Sequence, residues 1–159
     1  MSVLNVLEVP NIILKQTSMD VQLFNDDLKT FVNDLFETMH ASKGIGLAAP
    51  QVGVLQRVFV CQLEKQRLVC INPTLRLYGE KVESQEGCLS IPNMLATLDR
   101  YRCVEISAYD ENGVSYTKSF KGMMAIVIQH EYDHLEGVLI TDNPIKTQFC
   151  YDNNNLEEE

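Results

Sequence analysis

The segment Gln129-His130-Glu131-Tyr132-Asp133-His134 carries the residue types that can do chemistry, at a spacing that lets them do it. Side chains four apart on an α-helix lie on one face, so the imidazoles of His130 and His134 can share one metal ion. Glu131 follows the first of them, where its carboxylate can reach water activated at such an ion and act as general base. The chain has 3 histidines in 159 residues, the third being His40. Two of the three at this spacing point to metal-dependent hydrolysis.

Two histidines do not complete a catalytic site, which takes three protein ligands and keeps one position open. Downstream candidates are poor. One metalloprotease class places a third histidine where this chain has Ile140, which cannot bind a metal. Another class uses a glutamate from a later helix, but Glu157, Glu158 and Glu159 lie in a segment with no apolar pattern to dock it. Upstream, Cys88 is a better candidate. It lies in Gln85-Glu-Gly-Cys-Leu-Ser-Ile-Pro92, a loop-like stretch in which Gly87 permits unusual dihedrals and Pro92 restricts the backbone. A thiolate suits zinc or ferrous iron, and the metal itself keeps the sulfur deprotonated.

The elements that must position these residues are legible from periodicity. Leu28, Phe31, Val32, Leu35, Phe36 and Met39 recur at steps of three and four, predicting an amphipathic helix between Asn25 and Ala41. Asn25 or Asp26 is its N-cap, and Gly44 lies just past its end. Residues 57–63 and 67–72 read as strands, and residues 102–110 and 114–120 flank a hairpin turn at Asp110-Glu-Asn-Gly113. From Gly122 to Glu136 a helix apolar nearly all round carries the histidine pair, so its first half is expected to be buried. Gly137 is its stop. Helix, several strands, then helix, without strict alternation, is an α+β order. Asp133 reads as a solvated helix residue, with the alternative that it orients a ligand histidine. His40 reads as a helix C-terminal residue interacting with the dipole.

A net charge of −9 argues against an electrostatic grip on nucleic acid or an anionic membrane. No apolar run approaches the roughly 20 residues of a membrane span, and the N-terminus does not read as a signal peptide. The 5 cysteines are odd in number and form no Cys-x-x-Cys pair, as expected of free thiols in a reducing cytoplasm. Cys61, Cys70, Cys103 and Cys150 read as inert. The expectation is one domain over residues 1–159, ordered over about 3–145, with a frayed acidic tail at 151–159.

Three segments in order, GIGLAAPQVG at 44–53, EGCLSIP at 86–92 and QHEYDHLEGVL at 129–139, resemble the three motifs of peptide deformylase, and the likeness spans roughly residues 3–142. That family removes the formyl group from the N-terminal formyl-methionine of new polypeptides. The resemblance implies antiparallel sheets packed around a central helix that bears the ligands. It implies Cys88, His130 and His134 as ligands of one divalent metal ion, natively Fe2+, with Zn2+, Ni2+ or Co2+ able to occupy the site. Glu131 would be the general acid/base, and Gln51 (side-chain amide) and Leu89 (backbone N–H) the donors to the oxyanion. Loss of one such donor typically costs roughly 3–4 kcal/mol. Ile45 and Gly46 would pair with the substrate backbone as an added strand, and Met123, Ile126 and Val127 would wall an apolar pocket for the methionine.

The partner implied is a formylated nascent peptide, with no direct nucleic-acid or membrane contact. Two departures stand out. Many bacterial members have an arginine shortly after EGCLS, where this chain has Met94 and Leu95. Many also continue into a long basic C-terminal helix that assists ribosome docking, so ribosome binding through this end is expected to be weak or absent. Short forms occur among organellar and virus-encoded members. The rival readings are a zinc endopeptidase, disfavoured by Ile140 and Cys88, and a non-catalytic peptide binder, which would have no need of Glu131.

Overall fold

The computed structural model describes residues 2–150. Among them run two α-helices, α1 (Asp26–Ala41) and α2 (Met123–Leu135), and six strands: β1 (Gly46–Ala48), β2 (Val58–Leu63), β3 (Gln66–Cys88), β4 (Ile91–Tyr109), β5 (Ser115–Lys121) and β6 (Lys146–Phe149). The strands form one antiparallel sheet in the order β1-β2-β3-β4-β5, with β6 also paired to β4. The fold is α+β, as the element order predicts.

The sheet is buried on both faces where the helices cover it, and alternation assigns the residues. In β2, Val58 and Val60 join the cluster of α1 residues Val32, Leu35 and Met39, while Phe59 and Cys61 join the cluster of α2 residues Ala125, Ile128 and Leu135. β3 divides likewise: Val69 and Ile71 face the α1 cluster, Leu68 and Cys70 the α2 cluster. A period-2 pattern with both sets apolar puts a helix on each side. α2 is therefore buried over most of its surface, as its composition demands.

α1 begins where expected: the Asn25 side chain accepts the Leu28 N–H at 3.1 Å, and Asp26 and Asp27 place negative charge on the helix N-terminus. The left-handed residue after it is Lys43 (φ 57°) rather than Gly44, whose N–H bonds the Met39 carbonyl at 2.9 Å. His40 is in the last turn, as expected, and shares a 2.9 Å hydrogen bond with Gln62.

β3 and β4 are much longer than the segments 67–72 and 102–110 suggest. Their pairing shifts register between Ile71 and Thr74, Tyr78 and Lys81, and Glu86 and Cys88. Each shift resets which residues face inward, so no single alternation runs through the arms. The loop-like reading of residues 85–92 is corrected accordingly: Cys88 ends one strand, pairs with Ile91, and only Leu89 and Ser90 form the turn. The Asp110–Gly113 turn is as read, with the Asp110 carboxylate accepting the N–H groups of Asn112 and Val114. β6 continues ordered structure past residue 145, while the tail at 151–159 lies outside the described residues.

α2 stops at Gly137, whose φ is +72°. A Cβ there would stand 2.6 Å from the backbone carbonyl of Lys15, which crosses the helix end. Gly137→Ala combines a left-handed alanine with a clash against backbone, and is expected to destabilise by about 3 kcal/mol or more. Thermal melting should show a fall of about 6 °C or more; a fall under about 2 °C would mean the Lys15 segment yields freely.

Candidate metal centre and active site

His130 and His134 come from α2, anchored by its buried apolar flank, and Cys88 comes from the end of β3. One donor atom from each of the three lies within 4.8 Å of the others, and Cys88 Sγ is 3.4 Å from His134 Nε2. Ligands about 2.3 Å (sulfur) and 2.0 Å (nitrogen) from a tetrahedral metal stand roughly 3.5 Å apart, so the donor set fits a metal ion. Burial pulls the His134 pKa well below 6.5, keeping the imidazole neutral as ligation requires.

Behind His130 is a charged network that sequence reasoning missed. Glu86 shares a 2.8 Å hydrogen bond with His130 Nδ1, which leaves Nε2 to face the donor group. Arg100 grips Glu86 with Nε at 2.8 Å and Nη2 at 2.7 Å, and Asp133 with Nη1 at 2.7 Å. Arg100 and Glu86 are 8% and 7% exposed. Burial alone would raise the Glu86 pKa, but the Arg100 and His130 hydrogen bonds outweigh it and bring it down to about 2. Asp133 is therefore not a free solvated residue; its hydrogen bond is to Arg100, and among the described residues its side chain forms no direct bond to a ligand histidine.

Arg100→Met would strand two carboxylates. The expected loss is about 3–5 kcal/mol in denaturant unfolding, with metal affinity down about 10- to 100-fold through the freed His130. The Glu86 contribution is full above its ordinary pKa of 4.5 and is lost as pH falls towards 2, so the variant and parent should converge in acid. A loss under about 1 kcal/mol at neutral pH would show the network to be dispensable.

Glu131 is 2% exposed, its Oε1 lies 3.6 Å from His130 Nε2, and its buried Oε2 has no hydrogen-bond partner among the described residues. Burial raises its pKa to about 7, against the pull of His130. β1 passes close over it: a Cβ on Gly46 would be 2.8 Å from Glu131 Cγ, so only glycine admits this approach. The Gln51 amide is oriented by its own bonds. Oε1 accepts the Ala48 N–H at 3.0 Å, which turns Nε2 towards Ser90 Oγ at 3.1 Å and Cys88 Sγ at 3.7 Å. Ser90 was not foreseen; its place beside Gln51 depends on the β3–β4 turn. The N-terminal segment ties both, with Leu7 N–H on the Gln51 carbonyl at 2.7 Å and Val9 N–H on the Ser90 carbonyl at 2.9 Å.

These groups open on a cavity of about 670 Å³, within the range of small-ligand sites. Ile45, Gly46, Met123, Ile126 and Val127 line it, as does Leu89, and Glu131 and His130 lie among the lining residues. All the residues expected to meet substrate are thus brought to one space.

Residues 3–149 match the family model described as polypeptide deformylase. The chain belongs to the peptide deformylase family. It is 42% identical over 146 residues to peptide deformylase 1 of Pseudomonas syringae pv. tomato, covering 89% of this chain and 87% of that protein. The crystal structure of the Thermotoga maritima peptide deformylase superposes with a TM-score of 0.89 at 32% identity, covering 92% of this chain and all of that one (100%). That of the Synechococcus elongatus enzyme in complex with actinonin gives 0.87 at 40% identity, covering 90% and 79%. The protein is a metal-binding hydrolase of protein biosynthesis with peptide deformylase activity, removing the formyl group from the N-formylmethionine of nascent peptides, and the endopeptidase alternative falls away. Among the described residues no helix is long and apolar enough to cross a membrane.

Proposed function

We propose that Cys88, His130 and His134 hold one divalent metal ion, that Glu131 carries the proton, and that Gln51 and Leu89 stabilise the oxyanion during deformylation. The observation that carries this reading is the Glu131 carboxylate, buried and without a partner at Oε2, beside three mutually close donor atoms at a cavity. A bound metal supplies Lewis acidity and lowers the pKa of water. Glu131 accepts the proton of the attacking water and later delivers it to the departing amide nitrogen. The Gln51 Nε2–H and the Leu89 N–H receive the negative charge that develops on the formyl oxygen. Ile45 and Gly46 hold the peptide backbone in extended form, and Met123, Ile126 and Val127 take the methionine side chain.

One thiolate and two imidazoles suit ferrous iron or zinc; we take Fe2+ as the native ion on the family resemblance, with Zn2+, Ni2+ or Co2+ able to replace it. The Synechococcus elongatus relative is in complex with actinonin, which supports actinonin as a ligand of this chain too. The substrate partner is the formylated nascent peptide. The free cysteines support a reducing, cytoplasmic setting, and we treat the chain as one catalytic domain. The test is formate release from formyl-Met-Ala-Ser by anaerobically purified protein, with metal content measured on the same sample. Formate release with about one metal per chain is expected; cleavage of internal peptide bonds with no formate released would overturn the reading.

A further inference from the structure

The cavity is also lined by residues that the deformylation chemistry does not use. They form a wall at the start of β4. Asn93 takes a left-handed conformation (φ 64°), one that asparagine tolerates better than most residues. Beyond this bend Met94, Ala96 and Leu98 pack with Leu14, Leu139 and Ile140. Leu95 therefore falls on the alternate face. It lies across Gly87, where a Cβ would stand 3.6 Å from Leu95 Cδ2, so it covers the residue next to the ligand Cys88 with no side chain between. Met94 and Leu95 both line the cavity.

β6 holds this wall. It pairs Gln148 with Leu95 and Phe149 with Met94, and the flanking bonds run from Ile145 N–H to the Thr97 carbonyl at 2.8 Å and from Cys150 N–H to the Asn93 carbonyl at 2.7 Å. All four β6 residues are exposed. A strand that adds nothing to the core contributes by its backbone pairing, here to the segment that walls the cavity. The wall is apolar at Ile91, Pro92, Met94 and Leu95, and the nearby carboxylate of Glu86 is already engaged by Arg100.

We propose that the Met94–Leu95 wall, held by β6, is a specificity element that favours an apolar side chain at the first or second residue after the formyl-methionine. This rests on the deformylase activity, which formate release from formyl-Met-Ala-Ser tests on its own. The side chains of Ile91, Pro92, Met94 and Leu95 offer no charge or donor, Asn93 at the bend supplying the one carboxamide of this wall, whereas an apolar substrate side chain loses water-exposed surface against them.

The experiment compares kcat/KM of the metal-loaded enzyme for formyl-Met-X-Ser and formyl-Met-Ala-X, with X either Leu or Asn. The pair is similar in size and uncharged, so the net charge of −9 does not enter. At one of the two positions Leu should exceed Asn by about tenfold. Leu95→Ser should bring that ratio to within about twofold of unity. Gln148→Pro, which puts a ring without an N–H opposite an intact Leu95, should lower the ratio as well; retained turnover of formyl-Met-Ala-Ser by this variant shows that its fold is intact. Equal kcat/KM for Leu and Asn at both positions, or a preference that survives Leu95→Ser, would overturn the proposal. A ratio untouched by Gln148→Pro would overturn the part given to β6. Absence of formate from every peptide would instead overturn the activity itself, and the wall with it.

Discussion

Glu131→Gln is expected to keep its metal and its fold while kcat/KM for formyl-Met-Ala-Ser falls by about 10²- to 10⁴-fold, the usual contribution of a positioned general acid/base. The amide matches the carboxylate in shape, which matters because Gly46 leaves no slack above the side chain: even a Cβ there would be 2.8 Å from Glu131 Cγ. What changes is the capacity to take a proton. Oε1 lies 3.6 Å from His130 Nε2, and Oε2 has no hydrogen-bond partner among the described residues, so no hydrogen bond within the protein competes for a proton there. Because Glu131 is not among the three donors, metal content should be unchanged. The measurement is steady-state formate release beside metal analysis of the same protein. A variant that kept more than about a tenth of parental kcat/KM would remove Glu131 from its role.

Cys88→Ala should fail one step earlier, by losing the ion. Cys88 supplies the only sulfur of the donor group and stands 3.4 Å from His134 Nε2, so without it two imidazoles remain on one helix face. Removing mere supporting partners of ligands typically costs about 10- to 100-fold in metal affinity, and losing a ligand should cost at least about 100-fold. Turnover should vanish with the metal. The stability of the fold is separable, because the β3–β4 turn is also held by the Cys88–Ile91 pairing and by Val9 N–H on the Ser90 carbonyl. Metal analysis after anaerobic gel filtration, with a thermal melt as control, decides the matter. A folded Cys88→Ala protein with one tightly held metal would show that the third ligand lies elsewhere.

The two helices were legible because helix information is local. The steps from Leu28 to Met39, the Asn25 cap and the Gly137 stop all act within a few residues, and each is where periodicity put it. The histidine pair needs only one helical turn to meet, and the hairpin at Asp110–Gly113 needs only its own side chain to close. The extent of β3 and β4 was not legible, since three register shifts break the alternation that marks a strand. β6 left no pattern because none of its side chains is buried. Arg100 gave no signal either. It meets Glu86 14 positions before it and Asp133 33 positions after it, a meeting that exists only once the β3–β4 arms lie against α2.

By itself, then, the amino-acid sequence determined the chemistry on offer: two imidazoles and a carboxylate on one helix, a thiolate in a separate motif, and glycines where backbone must pass closely. Only the tertiary structure decided that Cys88 reaches the histidines and that Glu86, itself clamped by Arg100, aligns His130. It also decided that the Gln51 amide turns towards Ser90 and Cys88 and that β6 lines up Met94 and Leu95. The physical reason is one of range. Spacing along a helix is set by its 3.6-residue turn, whereas contacts between β3, β4 and α2 are set by packing and register across tens of residues, which no local pattern encodes.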